Sequence, residues 1–394
     1  MTMMEKMIEG MPLGFRRQLL NSRDAFDIAR RVRNPKVLTS MAGSVGRGLI
    51  LKSNKQGEPV DVPAAHSAHF DFEYRSDYPE MYELYRRALE NQWNGDTSLD
   101  WSIDVDPENP NTAVLPMELV PLEGLAENGI KLNRKEQIDF TYSFASWLLS
   151  QFLHGEQGAL YASAQVTESV HWIDGKFYGS TQVIDEGRHV EVFFRYIETK
   201  LGGKLYQCND NLYVILDALL RDSRWDMKFL GMQIMVEGLA LGAFSQMYSA
   251  TREPLLANML KYVIQDEARH VHYGVLALKR HFAEISEKER QEREDWAFEV
   301  ALLMKNRFLA HEMYEEWFEH RMSRRKWDHV IHNSAFMSNF SKLMFKRLIP
   351  NLEYIGILSP RIQKHYAAAG LMEFAGGKNA SQLSGDDLIN DLAA

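Results

Sequence analysis

Apolar and polar positions follow a helical period over most of the chain from about residue 134 onward. Apolar residues recur at the spacing that places them on one face of a helix. The pattern predicts helices at 134–172, 176–201, 209–221, 224–251, 254–283, 286–321 and 325–346. Earlier helices are predicted at 13–33 and 79–94, and the small, polar residues from 370 onward are expected to form a loosely held terminus. The expected fold is all-α.

A five-residue motif occurs twice within the predicted helices. DEGRH occupies 185–189 and DEARH occupies 266–270, so the two copies are offset by 81 residues. Each copy contains Glu-x-x-His, which places a carboxylate and an imidazole one turn apart on the same helix face. A lone glutamate in an apolar run precedes the glutamate of each pair by 30 residues. The residues of the two halves are Glu156, Glu186 and His189, and Glu237, Glu267 and His270.

The two halves are also expected to fold alike. If the lone glutamate and the Glu-x-x-His pair lie level on antiparallel helices, each hairpin must turn near the midpoint between them. Because both helices rise by the same ~1.5 Å per residue, the turns are expected at about residues 172 and 253. Helix-breaking sequences lie close by, namely Asp174-Gly175 and Arg252-Glu253-Pro254. Two such hairpins make a four-helix bundle with the six side chains inside.

Four glutamates and two histidines in matching halves form the ligand set of a carboxylate-bridged site for two metal ions. Four carboxylates neutralise two Fe(II) ions, and one imidazole per ion leaves positions open for dioxygen. An unpaired glutamate among the apolar neighbours of Glu156 or Glu237 would cost several kcal/mol, which argues against an ordinary helix-surface role. The ligands suit iron and manganese, so a di-iron centre is expected and a mixed Mn/Fe centre stays open.

Charged residues beside the candidate ligands repeat in the same register. Asp185 and Asp266 precede the glutamate of each Glu-x-x-His pair, and Arg188 and Arg269 precede the histidines. A metal-bound imidazole normally donates its other N–H to a carboxylate. We therefore expect each aspartate to bind the histidine of the opposite half, with an arginine holding the aspartate in place.

Composition narrows the class of protein further. The chain has 394 residues and a net charge of −9, which disfavours a nucleic-acid partner bound through its phosphates. Its single cysteine allows no intrachain disulfide, so a reducing compartment is expected. No signal-peptide apolar run is found, and no stretch is expected to span a membrane, so a cytoplasmic location is predicted.

The doubled Asp-Glu-x-Arg-His motif resembles that of the ferritin-like di-iron carboxylate superfamily. Within it, the pattern is similar to bacterial multicomponent monooxygenase hydroxylases and to ribonucleotide reductase small subunits. The resemblance covers about 134–285 and extends to 86–102, where Trp93 and Trp101 are similar to the reductase-like branch. It implies a ferritin-like four-helix bundle with flanking helices. It also implies one iron held by Glu156, Glu186 and His189 and another held by Glu237, Glu267 and His270, with two glutamates bridging.

The chain departs from both branches at one position in each half. Phe193 stands one turn after His189, where the reductase subunits carry a radical-forming tyrosine. Leu241 stands one turn after Glu237, where the hydroxylases carry a threonine. Storage of a tyrosyl radical is therefore not expected. An apolar stripe is expected either to line a substrate pocket or to form plain core, and it comprises Ala159, Leu160, Phe193, Leu241 and Phe244.

The sequence is divided into an N-terminal extension at 1–133, a di-iron bundle at 134–346 and a C-terminal extension with a polar tail at 347–394. These features favour an oxygenase or oxidase that activates dioxygen and oxidises a small, largely apolar organic substrate. Hydroxylation, N-oxygenation, desaturation and C–C cleavage are all open. No flavin or nicotinamide fingerprint is found, so electrons are expected from a separate ferredoxin or reductase, and a homodimer is left open.

Three other functions remain as alternatives. They are an iron-handling protein of the ferritin kind, a radical-generating subunit that acts on a partner enzyme, and a metal-stabilised scaffold without activity. The chain length argues against the first and Phe193 against the second. Substrate-dependent consumption of oxygen would distinguish the oxidase from all three.

Overall fold

Helices account for the regular secondary structure of the described residues. The structure is a computed structural model that describes residues 7–8, 10–55 and 57–393. Within these ranges no strand is present, which confirms the all-α prediction. The helices before the bundle are α1 (Leu13–Val32), α2 (Pro35–Val45), α3 (Pro79–Glu90) and α4 (Leu122–Glu127). The next are α5 (Arg134–Ser169), α6 (Ile173–Lys200), α7 (Asp210–Arg221), α8 (Trp225–Ala250) and α9 (Pro254–Glu284). The last are α10 (Glu287–Arg307), α11 (His311–Trp317), α12 (Arg324–Asn333), α13 (Ala335–Ile355), α14 (Pro360–Ala368) and α15 (Gly385–Ala393).

The first half of the bundle is the hairpin of α5 and α6. A capping box starts α5: the Asn133 side chain accepts from the backbone N–H of Glu136, and the Glu136 carboxylate accepts from that of Asn133. The turn lies at 170–172, close to the predicted midpoint. Asp174-Gly175 is not the turn, because both residues lie in the first turn of α6. There the Asp174 carboxylate accepts from the backbone N–H of Tyr78 at 2.9 Å.

The second half is the hairpin of α8 and α9, and here the predicted breaker is the turn. Glu253 caps α9, because its carboxylate accepts from the backbone N–H groups of Leu255 and Leu256 at 2.8 and 2.7 Å. Pro254 occupies the first helical position, where no N–H is needed. α9 also packs against α6, so the two hairpins close the predicted four-helix bundle.

Helix α8 is apolar and almost wholly buried. By length and composition it is the one described helix that could cross a membrane, because an 18-residue stretch of it has a mean hydropathy of 1.3. However, 94% of that stretch is buried inside the protein, where α9 and α13 pack against the helix. The prediction that no stretch spans a membrane is not contradicted, because this helix is covered by protein. A bundle helix covered on most sides needs few polar residues, which explains its apolar composition.

A π-helical segment interrupts α8 at Leu230–Val236, directly before Glu237. The backbone N–H of Glu237 bonds to the carbonyl of Met232, which is five residues back instead of four. All residues of the segment are buried. The wider turn rotates the helix that follows and so sets the direction in which Glu237 points. Such segments are frequent at functional sites, and the apolar pattern did not predict this one.

Flanking helices cover the outside of the bundle: α3 packs along α6, α13 crosses α8 and α15 lies on α9. The tail after residue 370 is therefore docked, contrary to the prediction, and Gln265 on α9 donates to Asp386 at 3.0 Å. The predicted helix at 286–321 is divided into α10 and α11, because Ala310 has a left-handed backbone with φ of 49°. The division into extensions and bundle stays a prediction, and residues 1–6, 9, 56 and 394 lie outside the described ranges.

Candidate metal centre

The six predicted ligands converge in the centre of the bundle. Glu156 lies on α5 and Glu237 on α8, while α6 and α9 each supply one Glu-x-x-His pair. Their exposed fractions are 0% for Glu186, His189 and His270, 1% for Glu267, 2% for Glu237 and 5% for Glu156. Burial of so many ionisable groups is costly unless they bind one another or a cation.

The six side chains form two overlapping groups. One contains Glu156, Glu186, His189 and Glu267, and the other contains Glu186, Glu237, Glu267 and His270. Within each group, one candidate ligand atom per residue lies within 4.8 Å of all the others. Glu186 and Glu267 belong to both groups, as expected of carboxylates that bridge two ions. Each ion would then have one further glutamate and one imidazole of its own.

The two imidazoles turn their Nδ1 atoms toward the carboxylates. His189 Nδ1 lies 3.2 Å from Glu156 Oε2 and 3.3 Å from Glu267 Oε1. His270 Nδ1 lies 3.1 Å from Glu186 Oε1 and 3.6 Å from Glu267 Oε1. The Nδ1 atoms are therefore the candidate metal ligands.

The Nε2 atom of each histidine faces the aspartate of the opposite half. His189 Nε2 lies 3.1 Å from Asp266 Oδ2, and His270 Nε2 lies 3.3 Å from Asp185 Oδ2. An ionised carboxylate only accepts hydrogen bonds, so these contacts assign the proton to Nε2. The lone pair of Nδ1 is then directed at the cluster, which is the tautomer that a metal ion requires.

Two arginines join the aspartates. Arg188 donates to Asp185 and, at 3.2 Å, to Asp266, while Arg269 donates to Asp266 and lies 3.8 Å from Asp185. The two arginine side chains are only 9% and 13% exposed. The structure thus brings the four repeated charges together across the two halves. Their contribution to metal binding stays a prediction.

Titration of the buried groups reflects the crowding of negative charge. Burial raises the pKa of Glu156 and of Glu237 well above the usual range, and the charge of Glu267 raises both further. Burial lowers the pKa of His189, but hydrogen bonds to Asp266 and Glu156 outweigh it, so that this pKa lies well above its usual value. The cluster therefore favours positive charge at its centre, as protons or as metal ions that replace them.

Several buried atoms of the cluster have no hydrogen-bond partner among the described residues. They are Glu186 Oε2, Glu237 Oε2, both carboxylate oxygens of Glu267 and His270 Nδ1. Such atoms are rare in folded proteins, because leaving a buried polar group unsatisfied costs about 1–3 kcal/mol and more for a charged one. Carboxylate oxygens and imidazole nitrogens are the donors that iron and manganese prefer. The residues therefore fit two metal ions.

Two buried glutamines contact the candidate ligands and were missed by the sequence reasoning. The Gln182 amide donates to Glu237 Oε1 at 2.8 Å and to Glu186 Oε1 at 3.2 Å. The Gln233 amide, in the π segment, donates to Gln182 Oε1 at 3.4 Å. Gln182 lies four residues before Glu186 on the same face of α6, and that spacing is the signal that would have identified it.

Trp93 reaches the centre from outside the bundle. Its indole N–H donates to Asp266 Oδ2 at 2.7 Å, and the Arg188 guanidinium lies over its ring at 4.6 Å from the centroid. Trp101, in contrast, donates to the carbonyl of Gly95 and is not part of the centre. The resemblance had marked both tryptophans but did not reveal the bond to Asp266.

The residues considered for a substrate pocket are packed as core in this structure. Phe193 and Phe244 stack with their ring centroids 5.8 Å apart, and Phe152 contacts both rings. The other three are Ala159 and Leu241, which are buried, and Leu160, which is half-buried. Their role as a substrate pocket stays a prediction, and it requires these rings to move apart.

No protein-family model matches the chain, and no curated protein matches it. Solved structures are similar to part of it. A variant of an R2-like ligand-binding oxidase with an aerobically reconstituted Mn/Fe cofactor is 19% identical over 68% of this chain and 93% of that chain, with a TM-score of 0.42. Another variant, anaerobically reconstituted, is 18% identical over the same shares with a TM-score of 0.40. Because these TM-scores are low, the identification of the centre depends on its own geometry, a buried cluster of four glutamates and two histidines that can hold two metal ions.

Proposed function

We propose that this protein is a dioxygen-dependent oxidoreductase with two metal ions, either two irons or manganese and iron. The observation that carries the proposal is the sharing of Glu186 and Glu267 by both ligand groups. Two shared carboxylates keep two ions adjacent within a water-poor bundle. When bound in reduced form, such a pair supplies electrons to dioxygen and activates it for the oxidation of an organic substrate.

The residues of the chain hold, orient and shield this centre. Asp185 and Asp266 keep a proton on Nε2 of the opposite histidine, so that Nδ1 faces the ions. Arg188 and Arg269 offset the charge of the aspartates. Phe193, which is fully buried one turn beyond His189, excludes water from that side. Exclusion of water strengthens every electrostatic contact in the centre.

A small, largely apolar substrate suits these surroundings. Phe193 and Leu241, each one turn beyond a candidate ligand, offer no hydrogen-bonding group to a polar substrate. Hydroxylation, N-oxygenation, desaturation and C–C cleavage all remain compatible with such a substrate. We propose a separate ferredoxin or reductase as the electron donor, since no flavin or nicotinamide fingerprint occurs in the sequence.

Metal content and oxygen uptake test the proposal together. Elemental analysis of protein from iron-rich medium is expected to give two ions per chain. Glu267→Ala should lose both ions because this glutamate is shared, while Glu198→Ala, at an exposed position of α6, should keep them. Oxygen uptake should depend on both metal and substrate, with products identified by mass spectrometry. Metal-free protein with full activity would exclude the proposal, and iron uptake far beyond two ions per chain would favour storage.

Freeze-quench EPR after addition of dioxygen is expected to show no long-lived tyrosyl radical. Phe193 replaces the phenol one turn beyond His189. A different phenol, Tyr178, does lie near the centre, with its ring 6.5 Å from that of His270. Burial raises the pKa of Tyr178, and its hydroxyl has no hydrogen-bond partner among the described residues, so no group is in place to take its proton.

A persistent tyrosyl signal would contradict this expectation and favour the radical-generating alternative. Two variants would then locate it. Tyr178→Phe would abolish a radical formed beside His270. Tyr196→Phe would abolish a radical formed further along α6, where the Tyr196 hydroxyl donates to Glu253 at 2.7 Å.

A further inference from the structure

A cavity of about 670 Å³ lies between α1 and the N-terminal end of α12. It is remote from the metal centre. Phe318, which immediately precedes the lining residue Glu319, packs its ring 5.3 Å from that of Phe140 on α5. Phe140 precedes Glu156 by about four and a half turns of the same helix, which corresponds to about 24 Å. The cavity is therefore separate from the site where substrate would be oxidised.

Positive charge dominates the lining of this cavity, although the chain as a whole has a net charge of −9. The basic residues are Arg16, Arg23, Arg321, Arg324, Arg325 and Lys326, and among the described lining residues the single carboxylate is Glu319. Glu319 is already bound by Arg16 at 3.3 Å and by Arg17. It is thus not available to the other cations of the lining. Basic side chains clustered in one cleft of an otherwise acidic protein attract an anion to that cleft.

Three of these cations remain without a carboxylate. Among the described residues, no acidic side chain pairs with Arg23, Arg321 or Lys326, and all three are exposed. Arg324, in contrast, is held by Asp24 and Asn21 and is fixed in the wall of the cavity. The lining therefore combines one anchored guanidinium with three cations that are free to bind an anion.

The start of α12 adds to the positive potential. No acidic residue lies in its first turn, and the side chain of Ser323, its N-cap, makes no capping hydrogen bond. A helix normally places Asp or Glu in its first turn, because the exposed backbone N–H groups carry partial positive charge. Here Arg324, Arg325 and Lys326 occupy that turn instead, so the start of the helix carries basic side chains beside its exposed backbone N–H groups.

Size and chemistry together indicate the ligand class. Cavities of roughly 300–1,000 Å³ hold small organic molecules, so an inorganic ion alone would leave most of this one unfilled. Leu20 and Met322 supply apolar wall, and Tyr314 supplies an aromatic face. A phosphate carries more charge than a carboxylate and accepts hydrogen bonds from several guanidinium groups at once. We propose that this cavity binds a small organic phosphate, with Arg23, Arg321 and Lys326 around the phosphate and Leu20 and Met322 against the carbon skeleton.

Isothermal titration of the metal-loaded, full-length protein with fructose 1,6-bisphosphate tests this site. We expect saturable binding that also raises the melting temperature. The double variant Arg321→Ser/Lys326→Ser should raise the Kd by about a hundredfold, because each of the two lost charge-assisted hydrogen bonds is worth about tenfold. Arg23→Ser should weaken binding from the α1 side of the cavity. The matched control Arg30→Ser/Arg31→Ser removes two exposed cations from the far end of α1 and should leave the Kd unchanged.

Several results would overturn the proposal. They are absence of binding, equal weakening by the control variant, or equally tight binding of citrate at matched ionic strength. Inorganic phosphate that binds as tightly as the bisphosphate would exclude the organic part of the ligand. Glu267→Ala, which should lack both metal ions, is expected to bind the bisphosphate with unchanged affinity. A lost affinity in that variant would show that the phosphate binds at the metal centre and not in this cavity.

Discussion

Replacing Asp266 by asparagine is expected to weaken metal retention about 10–100-fold while the helical fold is kept. Asp266 is 1% exposed, and its Oδ2 accepts from His189 Nε2 at 3.1 Å and from the Trp93 indole at 2.7 Å. Arg188 donates to the same oxygen at 3.2 Å, and Arg269 donates to Oδ1. Burial raises the pKa of Asp266, but His189 and Arg269 outweigh it and hold this pKa below the usual range.

Asparagine is nearly isosteric with aspartate but provides one acceptor oxygen and a donor amide in place of two acceptors. If the NH₂ group takes the place of Oδ1, it faces Arg269, and His189 keeps only a neutral acceptor. If it takes the place of Oδ2, it faces the N–H of His189, which then loses the bond that fixes its tautomer and holds the Nδ1 lone pair toward the ions. A neutral partner also makes His189 a weaker metal ligand.

Metal retained after dialysis against a chelator measures the effect, and circular dichroism verifies the fold. Asp185→Asn should show a loss of the same kind, because Asp185 binds His270 Nε2 at 3.3 Å and Gln92 at 3.0 Å. Asp96→Asn is the matched control, since Asp96 is exposed and pairs with Arg195, which is not bonded to any candidate ligand in the described contacts. Unchanged metal retention in both Asp266→Asn and Asp185→Asn would show that the two aspartates do not contribute to metal binding.

The repeat is what made the centre predictable. Once two copies of Glu-x-x-His are matched with two lone glutamates, helix geometry leaves few ways to arrange six buried polar side chains other than around ions. The cross-pairing of aspartate and histidine followed from the same symmetry. These inferences use only spacings within single helices and the similarity of the two halves, both of which are visible in the sequence.

Contacts between distant segments were not predictable in this way. Trp93 meets Asp266 across 173 residues, and no periodicity relates the segment that follows α3 to α9. The π segment was not predictable either. In a sequence it would show as a shift of the apolar stripe around the helix, but a helix that is buried on most sides has no such stripe. The tail after residue 370 looked loose because it is polar, yet Ala380 bonds to the buried Asn351 side chain at 2.8 Å. Tertiary packing decided each of these features.

A second large effect is expected at Gln182. Gln182→Leu removes the only amide that donates to Glu237 Oε1, at 2.8 Å, among the described hydrogen bonds. It also removes the 3.2 Å bond to Glu186 Oε1. Leucine of similar size leaves the buried glutamate without its donor, so Glu237 loses its fixed orientation toward the ion that it shares with His270. We expect that ion to be released about tenfold faster or more, by analogy with other groups that orient metal ligands.

The expected effect is unequal between the two ions, and this inequality makes the test specific. Glu237 and His270 belong to one ligand group only, whereas Glu156 and His189 belong to the other. Mössbauer spectra of ⁵⁷Fe-loaded protein, recorded during removal of iron by a chelator, should therefore show one site emptying first. Gln157→Leu, at an exposed position of α5, is the matched control and should release iron as the unmodified protein does.

A smaller increase in the rate of iron release is expected when the π segment is displaced. Gln233 supports Gln182 at 3.4 Å, and its Cβ is pressed against Gly274 on α9, where an added methyl group would lie 2.5 Å from it. Gly274→Ala should displace Gln233 and, through Gln182, loosen Glu237 without touching any candidate ligand. If Gly274→Ala and Gln182→Leu both accelerate release from the same site, the two glutamines act in series on Glu237. Equal acceleration at both sites would instead indicate a general loosening of the bundle and would exclude this positioning role.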